Sequence, residues 1–221
     1  MDLRAAPDGF SIDTMDRHDR HAGLLLVLYL TIWSLLAIAP RYRADWLLEN
    51  VLVFLALPAL FAVHRHLSKH ALTALFVFLC LHAVGAHYTY AEVPYDAWSE
   101  VLFGYSLGDL LGWQRNHYDR LVHFLYGLLV SPAFVELIDR RCRLEGAWHW
   151  LLPFGFMAAH AAIYELIEWW AALWFGGELG MAYLGTQGDI WDAHKDTALA
   201  LLGSVLAVSA LRLRGRRSGR A

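Results

Sequence analysis

Apolar residues in this chain are gathered into blocks of about 20, the length a helix needs to cross a hydrocarbon core, with polar stretches between them. Inside a bilayer each backbone N–H and C=O must be satisfied within its own segment, so such blocks form helices. They fall at Ala22–Ala39, Trp46–Val63, Ala71–Tyr90, Tyr118–Ile138, Trp148–Phe175 and Ala193–Leu211. The expected fold is all-α: a polytopic membrane helical bundle with six transmembrane helices, one domain over residues 22–211. Residues 1–21 read as a polar N-terminal tail or surface helix, and residues 212–221 as a basic C-terminal tail. With 58% hydrophobic and only 18% charged residues, composition agrees with pattern.

Ala37-Ile38-Ala39 has the form of a signal-peptidase site, but the polar lead is long and further spans follow, so the first helix is read as retained. Pro58 predicts a kink late in the second span. Cys80 lies inside an apolar block and Cys142 in an arginine-rich connection, so no disulfide is expected. Of the 18 Lys and Arg residues, Arg41, Arg43, Arg115, Arg120 and Lys195 fall on one side and the remainder on the other. The positive-inside rule then puts both termini in the cytoplasm and the connections Glu92–His117 and Gly176–Asp192 outside. The first of these mixes Trp98, Phe103, Tyr105, Leu110 and Trp113 with Asp96, Glu100 and Asp109. That suits an interfacial amphipathic helix or a re-entrant flap, or equally a plain aromatic belt.

Ionisable residues converge on the outer side. Asp189, Asp192 and Asp196 stand at i, i+3 and i+7 and share one helix face. Asp119 and His123 stand at i, i+4, and Glu165 and Glu168 at i, i+3; Glu168 reads as the deepest acid. The third span carries His82 and His87 near its outer end, and the fifth carries His160 and Tyr164. Taken singly, each has a plainer explanation. A lone intramembrane histidine is usually a hydrogen-bonded core residue, and Asp189 with Asp192 resembles a helix cap. Together they are costly in a bilayer and imply a functional polar site.

Imidazole and carboxylate are the ligand set of a divalent metal, Zn, Fe or Mn. The candidate ligands are His82, His87, Asp119, His123, Asp189 and Asp192. A bound metal makes a nucleophile of water, with Glu165, Asp196 or Glu168 as the catalytic base. Arg120, Lys195 and Gln187 at the mouth are candidates for holding a substrate headgroup; the two cations serve equally well to neutralise the acids beside them. The expected activity is a metal-dependent intramembrane hydrolase or transferase acting on a lipid-linked substrate. The alternative is an ion- or proton-coupled transporter or membrane binding protein, against which stands the lack of a visible repeat. A purely structural polar core ranks last, since interhelical polar contacts contribute only about 1 kcal/mol each. Expected partners are membrane lipids and a lipid-linked substrate, with no nucleic acid; assembly into an oligomer is compatible with the sequence.

Three motifs carry a family likeness: Gly85-Ala86-His87-Tyr88-Thr89-Tyr90-Ala91-Glu92-Val93-Pro94, Arg115-Asn116-His117-Tyr118-Asp119-Arg120 with His123-Phe124, and Gly185-Thr186-Gln187-Gly188-Asp189-Ile190-Trp191-Asp192-Ala193-His194-Lys195-Asp196. In this order they resemble the YjdF-type family of bacterial inner-membrane proteins, from the second span to the sixth. The resemblance implies a small multi-spanning protein of the bacterial cytoplasmic membrane and names no reaction. Asp119-Arg120-Leu121-Val122-His123, with Glu165 and the Asp189/Asp192 pair, is also similar to the acid-basic-x-x-His pattern of VanZ-like membrane proteins.

Overall fold

A computed structural model describes residues 16–217. In chain order the helices are α1 (Arg17–Leu36), α2 (Arg43–Val63), α3 (Lys69–Tyr88), α4 (Tyr95–Phe103), α5 (Leu107–Leu111), α6 (Tyr118–Arg141), α7 (Trp148–Phe175), α8 (Gly177–Leu184) and α9 (Asp192–Arg217). No strand occurs among the described residues. The six helices α1, α2, α3, α6, α7 and α9 are long and apolar enough to cross a membrane. α1 begins at Arg17, inside the stretch read as a tail, and α9 runs through Arg212 and Arg214 to Arg217. The rest of the two predicted tails, residues 1–15 and 218–221, lies outside the described residues. Pro58 sits inside α2, which continues to Val63. Both cysteines are free.

Contacts at helix ends fix the topology. At one end His18 of α1 bonds the Leu67 carbonyl after α2 (2.8 Å), and Ser68, opening α3, donates to Glu136 near the end of α6 (2.6 Å). There too, Arg212 of α9 pairs with Asp139 of α6 (2.6 Å). At the opposite end His87 bonds the Leu36 carbonyl (2.7 Å), Thr89 donates to Asp45 in the first turn of α2 (2.5 Å), and Arg115 reaches Asp192 at the start of α9 (2.7 Å). Successive spans therefore alternate in direction, and the two ends of the described chain share one end of the bundle.

α6 and α9 form the tightest pair, and small residues are the reason. A Cβ at Gly127 would stand 1.8 Å from the Ala200 carbonyl oxygen, and one at Gly203 would stand 2.1 Å from that of Phe124. Only glycine admits so close a backbone approach, the small-residue device of membrane helices. Ser131 donates to Ser204 across the same seam (3.0 Å), and both are fully buried. α2 is held more loosely: it packs on α3 and α8 and meets α7 at most weakly. The gap between them becomes a cavity.

The aromatic connection folds as α4 and α5. Asp96 accepts from the Gly108 N–H (2.7 Å), and Ser99 bonds the Tyr105 carbonyl (2.9 Å), so the two helices lock to each other. Val101, Leu102, Phe103, Leu110 and Leu111 are left exposed, the apolar face expected of an element lying in the headgroup region.

Candidate acid–imidazole site

The first layer lies at the mouth of the bundle. Arg115 makes a two-pronged bond to Asp192 (2.7 and 3.1 Å), and Arg120 bridges Asp189 (2.6 Å) and Asp192 (2.9 Å). Lys195 closes the ring on Asp189. Lys195, the Trp191 N–H and Arg120 hold the Asp189 carboxyl well below the usual carboxylate range. Burial, then the charges of Arg120 and Arg115, push the His117 imidazole down. Gln187 and Asn116 exchange backbone and side-chain bonds (2.9 and 3.0 Å), which ties the loop before α9 to the loop before α6. The Asp189 carboxylate accepts from Trp191 (3.0 Å) and shapes the turn into α9.

One turn deeper, beyond these cations, Asp119, His123 and Asp196 come together with one donor atom each inside a 4.8 Å span. His123 Nε2 stands 3.4 Å from Asp119 and Nδ1 3.7 Å from Glu165. Glu165 and Glu168 lie within electrostatic reach of each other and of Asp119. Asp196 is buried, and its Oδ1 has no partner among the described residues. A tetrahedral ion with bonds near 2.1 Å spaces its ligands by about 3.4 Å, the separation already present between His123 and Asp119. The other imidazole nitrogen facing a carboxylate is the usual support of a metal-bound histidine.

The remaining sequence-predicted residues lie elsewhere. His82 is buried and bonded to the Tyr90 hydroxyl (2.5 Å), facing the cavity. His87 caps the end of α1 through the Leu36 carbonyl and stacks edge-on with Tyr88. Asp189 and Asp192 are committed to Arg115, Arg120 and Lys195, and Asp196 joins Asp119 and His123 in the cluster. α7 rises from the terminal end, so Glu165 lies about 4.5 Å deeper than Glu168, the reverse of the sequence reading. Sequence reasoning also missed Asp45, Glu49 and Asn50, all buried on α2. Glu49 lies within electrostatic reach of Asp45 and Asp119, and its Oε2 is unpartnered. Asp45 braces Thr89, whose φ of 58° is a strained value for a β-branched residue. Spacing was the available signal: Asp45 and Glu49 stand at i, i+4.

A cavity of about 600 Å³ runs between α2, α3, α6 and α7. Asp119, His123, His82 and Tyr164 line it at the site end, and Leu67, Val63 and Leu137 at the terminal end. Halfway along, His160 and Tyr126 are hydrogen-bonded to each other.

Fold and site together define a polytopic integral membrane protein with an acidic, imidazole-containing centre at the end opposite the two ends of the described chain. The chain belongs to the family described as "Predicted membrane protein (DUF2238)", which matches residues 21–217. It is similar to the inner membrane protein YjdF of Escherichia coli (strain K12), 36% identical over 174 residues that span 77% of this chain and 79% of the relative. It is thus a multi-pass protein of the bacterial inner membrane. No solved structure matches.

Proposed function

We propose that the protein is an intramembrane enzyme, a hydrolase or transferase that acts on a lipid-linked substrate with the help of a divalent metal. The observation that carries this reading is the apolar cavity that ends on Asp119 and His123, beside the unpartnered carboxylate of Asp196. A lipid chain fits such a slot, and the reacting group then lies at the cluster. Asp119, His123 and Asp196 would hold the ion, and Glu165 would orient His123. The ion would lower the pKa of a bound water, and the Glu165/Glu168 pair would accept the released proton. Arg120 and Lys195 would hold the mouth together through Asp189 and Asp192, with Gln187 fastening the loops. The basic end, with both termini, would face the cytoplasm, so the chemistry would take place in the outer leaflet.

Transport is supported less well. Below His160 and Tyr126 the cavity walls are apolar, so an ion would find no continuous polar path. The test is elemental analysis of purified protein together with mass spectrometry of an inner-membrane lipid extract incubated with it. Near-stoichiometric Zn, Fe or Mn, absent from an Asp119→Ala/His123→Ala variant, with metal-dependent consumption of one lipid class, is the expected result. A protein that retains no metal and consumes no lipid refutes the reading.

A further inference from the structure

We infer that a groove between α1, α2 and α3 holds a phospholipid whose head carries a primary ammonium beside its phosphate, drawn from the leaflet at the terminal end. The head end of this groove lies at the terminal end of the bundle, away from Asp119 and His123.

The occupant's length follows from the depth of the groove. α1 packs on α3 and meets α2 at most weakly. In the half nearer the acid–imidazole site, Trp33 fills the space between α1 and α2. Its indole N–H bonds Asn50 (2.5 Å), and its ring lies against Trp46 and Phe54. In the other half the two helices stand apart and a groove opens over α3, with Ala22, Leu25, Leu60, Phe61, Leu72 and Phe76 among its walls. His18, Asp19, His64 and Arg65 line its polar end, and Tyr29, Leu57 and Leu79 line the other. From His18 to Tyr29 α1 rises roughly 16 Å, about half the thickness of a hydrocarbon core. That is the depth of one leaflet. A helix from a second copy would need a groove across the full thickness; the acyl chains of one leaflet need only this much.

The head follows from the hydrogen bonds at the polar end. His18 Nε2 bonds the Leu67 carbonyl (2.8 Å), and His64 Nδ1 bonds the Phe61 carbonyl (2.6 Å). A carbonyl only accepts, so each neutral imidazole commits its single proton there and keeps a bare lone pair on its other nitrogen. Those nitrogens, His18 Nδ1 and His64 Nε2, stand 4.0 and 3.6 Å from the same oxygen, Asp19 Oδ1. That oxygen receives only a long bond from Arg65 Nε (3.4 Å). Three acceptors are thus gathered with few donors, and a primary ammonium has three donors and no acceptor. Beside them Arg65 holds Asp19 Oδ2 through Nη2 (2.8 Å), while its side chain stays 72% exposed. Its Nη1 makes no bond among the described residues and is available to a phosphate oxygen. An ethanolamine head carries both charges on neighbouring groups, matching an acceptor cluster with a guanidinium at its side.

The test is native mass spectrometry of the purified full chain with dioleoyl phosphatidylethanolamine or dioleoyl phosphatidylcholine. The two differ only in three N-methyl groups, which remove every N–H donor from the head. The ethanolamine lipid is expected to bind about tenfold more tightly, the factor carried by one hydrogen bond to a charged group. His64→Phe keeps a ring against Phe61 and removes one lone pair. It should weaken binding of the ethanolamine lipid several-fold and leave the choline lipid unchanged. Gly23 lines the groove, and a Cβ there meets nothing within 4 Å. Gly23→Leu therefore enters open space, improves helix propensity and should displace both lipids from the groove. The difference from wild type separates this site from lipid held elsewhere on the bundle. Equal binding of the two lipids, ethanolamine-lipid binding unchanged by His64→Phe, or retention unchanged in Gly23→Leu overturns the inference. The comparison of the two lipids on the wild-type chain needs no variant to fold.

Discussion

Alanine at position 127 tests whether the α6–α9 seam holds the site in register. The added Cβ would lie 1.8 Å from the Ala200 carbonyl oxygen and 2.7 Å from the Ser204 nitrogen, where ordinary contact begins near 3.4 Å. Both obstacles are backbone, so no rotamer relieves them, and the helices must part locally by about 1.5 Å. His123 is one turn from Gly127, and Asp196 one turn from Ala200, so the gap between these two side chains widens by a similar amount. A metal site tolerates ligand displacements of only about 0.2 Å. Gly127→Ala should therefore cost about 1–3 kcal/mol as an overpacked core substitution and lose most of any bound metal. The assays are tryptophan-fluorescence melting in detergent and elemental analysis. Gly155→Ala on α7, with nothing within 4 Å of the new Cβ, is the control and should hold or raise Tm through helix propensity. A Gly127→Ala protein that melts like wild type and keeps its metal would refute the claim that this seam positions the site.

Three other outcomes are expected. Arg115→Met leaves the buried Asp192 with Arg120 alone and should cost about 1.5–3 kcal/mol in chemical or thermal unfolding; Arg115→Met with Asp192→Asn should recover much of this, and a single variant as stable as wild type would show the pair to be idle. The Asp189 carboxyl is depressed in the folded state, so its share of stability is complete above the ordinary carboxylate range and is lost as pH falls through and below it. Melting curves should therefore decline below about pH 4 more steeply for wild type than for Asp189→Asn, and equal slopes would contradict the assignment. Cys142, exposed at the terminal end, should resist a membrane-impermeant thiol reagent in spheroplasts and react in inverted vesicles; the opposite pattern would reverse the proposed orientation.

Helix number and extent were legible because hydrocarbon thickness sets a length that apolar blocks must match. Side-chain destinations were less so. His82 and His87 sit five residues apart, about 140° around α3, so one faces the cavity and the other caps α1. That division depends on where α1 and α6 pack, which no local pattern records. Asp45 and Glu49 look like charges at a helix entrance, yet both are buried, and Thr89 folds back to bond Asp45. Arg115 counted in sequence toward orientation and the family motif but not as a site residue, yet it pairs with Asp192, 77 residues away. Asp119/His123 and Glu165/Glu168 were visible because helical spacing alone puts each pair on one face.

Asp189, expected to share a helix face with Asp192 and Asp196, lies in the turn before α9, and depth separates an architectural role from a functional one among the three. The two outer acids meet arginines whose long side chains reach the mouth; Asp196, one turn deeper, meets another carboxylate and an imidazole. If Asp196 only held the bundle together, its removal would cost about 1 kcal/mol, the usual worth of an interhelical polar contact. A buried carboxylate oxygen without a partner is instead a burden on the fold, of the kind retained where a site needs it. Asp196→Asn should therefore leave Tm unchanged or raise it while removing metal retention and lipid turnover. A variant that is destabilised yet still loads metal would place Asp196 among the structural residues and remove it from the proposed chemistry.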